Sequence, residues 1–335
     1  LANVRHMVAA GGDSDTASPA PPLAAPDPIM PLAIRTRRLT RQFPGGFGVR
    51  DLDLNVPAGS IYGFLGPNGA GKTTTIRLLL DLLRPDSGEI ALFDQPLDRK
   101  TRTTLGLVGA LVESPSLYLH LSGRENLDIT RRLLDVPKAR IEQTLERVGL
   151  REAADRRVRD YSLGMRQRLA IALALLGQPK LLILDEPSNG LDPAGILDMR
   201  QMLRRLVDED GLTVFVSSHL LSEIELIASH VGVLHGGRLR FEGRLEDLRS
   251  RVKPRLILRC DSPLRALEFL LAHGEDASLT DPQTLQVQLT VRTGGEINHL
   301  LVTHGITVTH LARETVSLES LFFDLTLDSA LEHAA

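Results

Sequence analysis

The stretch GPNGAGKTT at positions 66–74 constrains this chain more than any other part of it. Apolar sequence at 60–65 precedes it and reads as a buried strand, while 74–83 has helical periodicity and stops before Pro85. Strand, glycine-rich turn and helix in that order restrict the fold to an α/β core with the turn at a strand's carboxyl end. Gly66, Gly69 and Gly71, with Pro67, Asn68 and Ala70 between them, let the backbone aim its N–H groups at a polyphosphate. The helix that follows adds the positive end of its dipole. The string fits G-x-x-x-x-G-K-[ST], in which Lys72 reaches the β- and γ-phosphates of a nucleotide and the Thr73 hydroxyl ligates Mg²⁺, with Thr74 next in the helix.

At 335 residues the chain has room for two domains, and a 42% hydrophobic content supports a packed core. Thirty-nine basic and 42 acidic residues leave a net charge of −3, so no electrostatic footprint for nucleic acid stands out. Cys260 is the single cysteine and forms no internal disulfide, which fits a reducing compartment and a small buried hydrophobe on a strand. No window reads as a membrane span or a signal peptide, so the expected location is cytoplasmic.

Residues 9–31 are dominated by Ala, Pro, Gly, Ser and Asp, and 1–31 is expected to be a disordered leader. Met30 stands just before the structured sequence, which is compatible with a translation start there or with a genuine flexible tail. From Ile34 onward alternation sets in: Val49, Leu52, Leu54 and Val56 interleave with Asp51, Asp53 and Asn55 as on a half-buried antiparallel edge sheet. A helical insertion is expected over about 115–177, with a capping box at Ser122 and Glu125 and an apolar face at Ile141, Leu145 and Val148. The parallel core resumes at 180–184 and 212–216. After residue 244 the pattern predicts a small α+β domain over 245–335, with strands at 256–260, 285–289 and 306–311 and helices at 264–273, 296–304 and 318–327. Its His304 and His310 read as isolated, packed or solvated histidines.

LLILDE at 181–186 is a buried strand that delivers two acids to its tip. Asp185 is suited to hold Mg²⁺, and Glu186 to polarise a water that attacks a γ-phosphate. YSLGMRQR at 161–168 places Ser162 and Gly164 ahead of a helix whose amino end can face a phosphate, and SSH at 217–219 puts His219 at the end of a core strand. The ordered set of phosphate loop, YSLGMRQR, LLILDE, SNGLDP (188–193) and SSH resembles the nucleotide-binding subunit of ATP-binding cassette (ABC) transporters over about residues 34–244.

That resemblance implies a P-loop NTPase fold, ATP and Mg²⁺ as ligands, and two such domains paired head to tail. Each site would join the phosphate loop of one with the signature residues Ser162, Gly164 and Gln167 of the other. It further implies that Lys72, Glu186 and the γ-phosphate sensor His219 carry the catalysis. Asp192 would sit in the loop that couples the two sites, and Phe43, with Phe47 as the weaker candidate, would stack on adenine. Leu163 and Met165 depart from the best-known signature, which expects Gly and Gln there. In LVESPSLY (111–118) Glu113 occupies the place of a glutamine that touches Mg²⁺ and signals to the membrane domain, and it keeps an oxygen ligand while adding charge. This glutamate resembles the subgroup that exports bacitracin-like and lantibiotic peptides, and SLESLFFDLT (317–326) is similar to the tail of drug exporters.

The expectation is therefore an ATPase subunit, peripheral on the inner face of the membrane, that drives a separate permease. The rival is a soluble mechanical ABC ATPase acting on a ribosome or DNA complex; such relatives carry two cassettes or long coiled coils, and here there is one phosphate loop and no sustained heptad. A third reading makes the C-terminal domain a regulatory module that gates the ATPase.

Overall fold

Short runs of uninterrupted apolar residues build the centre of the molecule. β4 (Ile61–Leu65), β8 (Leu181–Asp185) and β9 (Thr213–Ser218) are buried along their whole length. They lie in a six-stranded sheet with β7 (Val108–Leu111), β10 (His230–His235) and β11 (Arg238–Arg244), in the order β11-β10-β4-β9-β8-β7. All neighbours are parallel except the β10–β11 hairpin. The computed structural model describes residues 31–97, 103–113, 116–250, 255–289 and 292–314. The expected leader, bar Pro31, the 318–327 helix and the 317–326 motif lie outside them.

Because side chains alternate across a strand, each of these runs feeds two cores at once. On one face Ile61, Leu65, Leu182, Leu184, Val214 and Val216 join a cluster completed by helices. On the other, Tyr62, Phe64, Leu181, Ile183 and Phe215 meet α1 (Lys72–Leu79) and the antiparallel sheet. Phe215 stacks on Tyr62 with centroids 5.5 Å apart. Each such fully buried side chain contributes about 1.5–3 kcal/mol over its exposed state.

The antiparallel sheet has the order β2-β1-β5-β6, from β1 (Leu32–Gln42), β2 (Gly48–Leu52), β5 (Ser87–Leu92) and β6 (Gln95–Pro96), with β3 (Asn55–Pro57) also paired to β1. The single half-buried strand expected around Val49 to Val56 is in fact two. Val49 and Leu52 both point inward although three residues apart, and Asp51 absorbs the lost phase at φ 47°. Glu242 of β11 locks the two sheets together: its carboxylate accepts from the Tyr62 hydroxyl at 2.9 Å and from the Asn55 backbone and side-chain N–H groups at 2.6 and 3.0 Å. Burial pushes both the Tyr62 phenol and the Glu242 carboxyl above their ordinary ranges.

Helices cover the other face. α2 (Gly123–Leu134) starts with the anticipated capping box, in which Ser122 accepts from the Glu125 N–H and Glu125 accepts from the Ser122 N–H. α3 (Ala139–Arg147) buries Ile141 and Leu145, and α4 (Leu163–Leu175) sends Leu169, Ile171 and Leu175 into the core. α5 (Pro193–Asp208), the single-turn α6 (Leu221–Ile224) and α7 (Leu245–Ser250) complete the layer. Leu245 and Leu248 of α7 belong to this core, beyond the expected domain boundary at 244. α1 starts two residues earlier and ends four residues earlier than its periodicity suggested. A turn with Asp81 at φ 53° ends it, although the apolar pattern continues.

The last described segment forms β12 (Arg255–Cys260), α8 (Pro263–Ala272), β13 (Ala277–Asp281), β14 (Thr284–Gln288), α9 (Gly294–Thr303) and β15 (Val308–Glu314). The sheet order is β13-β14-β12-β15, wholly antiparallel, and the connectivity is β-α-β-β-α-β, a ferredoxin-like arrangement. Its core of Leu256, Leu258, Leu270, Val287, Ile297 and Leu301 forms a cluster of its own. β13 was not legible, because ASLTD carries little apolar alternation. His304 is not isolated: its ring lies 4.3 Å from Phe269 and 6.0 Å from His273.

Candidate functional site

Parallel pairing brings the carboxyl ends of β4, β8 and β9 together, with Leu65 beside Ser218 and Asp185 beside Ser217. The phosphate loop leaves β4 at that edge. Gly71 sits at φ 110°, and a Cβ there would lie 2.8 Å from the Gly48 carbonyl oxygen. Gly66 is needed for a different reason, since a Cβ would lie 2.5 Å from the Leu234 carbonyl oxygen of β10. No side chain caps the start of α1, so its first N–H groups face the cleft with the helix dipole behind them.

Lys72 is buried, and its ammonium donates to the Gly66 carbonyl at 2.7 Å and the Pro67 carbonyl at 3.4 Å while lying 3.2 Å from Glu186 Oε1. The second oxygen of Glu186 meets His219 Nδ1 at 2.5 Å. Thr73 Oγ1 donates to Asp185 Oδ2 at 2.9 Å, and Ser217 Oγ donates to Asp185 Oδ1 at 2.6 Å. Two short chains of polar contacts thus run through the site, one through each acid. A hard cation would find Thr73 and Asp185 as oxygen donors, and an anion would find Lys72 and the loop amides.

Around these groups lies a cleft of about 540 Å³ lined by Phe47, Gly48, Pro67, Asn68, Gly69, Ala70, Gly71, Lys72, Thr73, Thr74, Glu186, Asn189 and His219. A second cleft of about 520 Å³ lies between β5 and the end of α1, next to Arg37, Leu78 and Glu89, away from every motif.

Several anticipated residues are elsewhere. Phe43 does not line the cleft; the Arg41 guanidinium sits 5.0 Å over its ring, while Phe47, the weaker candidate, stands 66% exposed at the cleft wall. Glu113, at φ 62°, pairs with Arg77 of α1 and does not line the cleft. Neither do Ser162, Gly164, Gln167 or Asp192. Ser162 caps α4 by accepting from the Met165 N–H at 3.2 Å, and Gln167 is buried within the same helix. Asp192 caps α5 by accepting from the Gly195 N–H at 2.9 Å. Gly190 lies close under Leu163, so the SNGLDP loop and the signature helix touch within one chain. Ser217 and Asn189 were not singled out from sequence. The quoted SSH and SNGLDP strings were the available signal, but which residue of each string faces the site depends on the pairing of β8 with β9.

Comparison with known proteins agrees with this geometry. A family model described as ABC transporter matches residues 49–189. The bacitracin transport ATP-binding protein BcrA of Bacillus licheniformis is 40% identical over 299 residues, 88% of this chain and 98% of that protein. The lantibiotic transport ATP-binding protein SrtF of Streptococcus pyogenes is 40% identical over 194 residues, 58% of this chain and 83% of that one. Among solved structures, CbiO1 from Clostridium perfringens, part of the CbiONQ ABC transporter complex, superimposes with a TM-score of 0.61 at 27% identity, covering 65% of this chain and 91% of its own. The ADP conformation of the cassette MJ1267 shares the fold at a TM-score of 0.58 and 24% identity, covering 64% of this chain and 92% of its own.

Proposed function

Since the chain belongs to the ATP-binding subunits of ABC transporters and is an ATP-hydrolysing cassette, we propose that it powers a separate membrane permease that exports an antimicrobial peptide or drug of the bacitracin and lantibiotic kind. The observation that carries the reading is that Lys72, Thr73, Glu186 and His219 line one cleft, with buried Asp185 bonded to Thr73 behind its wall, in two chains of contacts of 2.5–3.2 Å. Support for the substrate class comes from the near full-length likeness to BcrA and from Glu113 in place of the usual glutamine.

The loop amides, the start of α1 and Lys72 bind the β- and γ-phosphates of ATP. Arrival of the γ-phosphate competes for the ammonium that Glu186 holds at 3.2 Å, and so frees that carboxylate. Glu186 then orients a water and accepts its proton as the water oxygen bonds to the γ-phosphorus and the bond to the β–γ bridging oxygen breaks. His219 stays within reach of both Glu186 and the phosphate and holds that geometry. Thr73 and Asp185 would be the oxygen donors for Mg²⁺, which when bound would supply charge neutralisation at the phosphate oxygens.

The signature residues Ser162 and Gly164 stand at the start of α4 outside the cleft, which supports a site completed by a second cassette, identical or related. Phe47 is the candidate for stacking on adenine. The separate apolar cluster of β12 to β15 supports reading this segment as a domain of its own, whose role is packing at the dimer or permease interface. No helix among the described residues is long and apolar enough to cross a membrane, so attachment to the inner face would run through the permease.

Co-expression with a multi-span permease that co-purifies with the chain tests the reading. Tolerance of bacitracin-like peptides should rise and should vanish with Glu186→Gln. An assembled, ATP-hydrolysing complex that leaves tolerance of every such peptide unchanged would refute the substrate class.

A further inference from the structure

We infer that Ser217 is a positioning residue that ties the metal-facing carboxylate of Asp185 to the backbone of Glu186, so that the two acids are set together and not independently. The inference rests on the hydrolytic reading of the cleft and deepens it.

Ser217 is wholly buried at the end of β9 and pairs in register with Asp185 across the parallel β8–β9 ladder. Its Oγ donates to Asp185 Oδ1 at 2.6 Å and accepts from the Glu186 N–H at 3.0 Å. A hydroxyl has one proton, and the Glu186 N–H can only donate, so the hydroxyl accepts from that N–H and sends its own proton to the carboxyl oxygen of Asp185. A hydroxyl-to-carboxylate bond this short is of the charge-assisted kind.

The other oxygen of Asp185 is bonded to Thr73 at 2.9 Å. That contact must change when the Thr73 hydroxyl turns to a cation, whereas the Ser217 contact lies behind the carboxylate and need not. Ser217 is therefore what keeps Asp185 aimed while its front oxygen exchanges partners.

Glu186 depends on the same hydroxyl for a second reason. Its backbone is at φ 50°, a conformation that side chains other than glycine rarely adopt, and Pro187 after it disfavours the right-handed helical alternative. The bond from its N–H to Ser217 anchors this conformation, which in turn points its carboxylate between Lys72 and His219. The adjacent Ser218 is turned elsewhere, accepting from the Leu220 N–H at 3.0 Å, and makes an internal control.

The test compares Ser217→Ala, Ser217→Val, Ser217→Thr and Ser218→Ala in the full chain. Threonine keeps the hydroxyl, and valine has threonine's shape without it. Two readouts are taken: amide hydrogen exchange at Glu186 in the nucleotide-free protein, and ATPase rate against Mg²⁺ concentration, with ATP binding in EDTA as reference. Alanine and valine should speed Glu186 exchange by about tenfold or more, raise the Mg²⁺ half-saturation and lower kcat by a similar factor, and leave ATP binding in EDTA unchanged. Threonine should stay within about twofold of the parent on each measure, and Ser218→Ala should leave all of them unchanged. A folded valine variant with parental Glu186 protection and Mg²⁺ half-saturation would overturn the inference, and so would a threonine variant as impaired as valine. If the parent itself hydrolyses no ATP, the proposed function fails, while the exchange measurement still decides the role of Ser217.

Discussion

At the phosphate loop, every charged group already has a partner from its own chain: Lys72 has Glu186 and two carbonyls, Asp185 has Thr73 and Ser217, and His219 has Glu186. At the start of α4, Ser162 serves only its own helix, and Leu163 and, on α5, Leu197 are about half exposed at 48% and 53%. The first region is closed upon itself and must be opened by a ligand. The second is complete as a helix end and has an unfilled outer face. One sequence thus carries a lock that nucleotide must displace and a surface that answers to nothing in its own cleft, which fits the proposed site shared between two cassettes.

The most drastic way to break the contrast is Lys72→Ala. It removes the buried cation that both the acid and the phosphates need, so ATP binding and turnover should be lost, while the melting temperature holds because Glu186 remains partly solvated. A folded variant that hydrolyses ATP normally would show that the cleft is not the site.

Glu186→Gln separates the two regions. Turnover should fall by about 10²-fold or more while ATP still binds, because the amide cannot accept the water's proton. The open face should then act: size exclusion in ATP should show a dimer, and adding Ser162→Arg should abolish it by placing a cation in the shared interface. A doubly substituted protein that still dimerises with ATP would mean that this face is not the one that closes.

Phe47→Ala against Phe43→Ala sharpens the description of the cleft itself. Loss of a stacking partner at Phe47 should weaken ATP binding by about 0.5–1.5 kcal/mol, measured by titration calorimetry, with little change at Phe43. The reverse order would mean that the hairpin between β1 and β2 rearranges around the base.

The smallest expected effect belongs to Glu113. Its pair with Arg77 is exposed, so Glu113→Gln or Glu113→Ala should cost under about 1 kcal/mol of stability. Hydrolysis should change modestly with Gln and more with Ala, and transport should suffer most with Ala. Equal, near-normal transport by both would remove Glu113 from any coupling role.

Much of this was legible one residue at a time. The glycine loop, the buried runs at β4, β8 and β9, and the capping box at Ser122 and Glu125 are local patterns that backbone sterics and burial enforce wherever they occur. What was misread depended on contacts distant in sequence. The break between β2 and β3 follows from pairing with β1, and β13 exists because β14 offers it an edge. Phe43 and Phe47 are both aromatic, and only the fold of their hairpin chooses which one meets the cleft.

By itself the sequence determined which chemical groups the chain owns and the local elements that carry them: Lys72 at a helix start, two acids at a strand tip, His219 after β9, and a serine-capped helix at α4. Tertiary structure alone decided their partners. Ser217 reaches Asp185 and Glu186 only because β8 and β9 pair in parallel register, and Glu113 meets Arg77 only because β7 ends beside α1. The reason is physical: secondary structure follows from sterics and periodicity over a few residues, whereas a hydrogen bond between groups about thirty residues apart exists only after a core has set the distance between them.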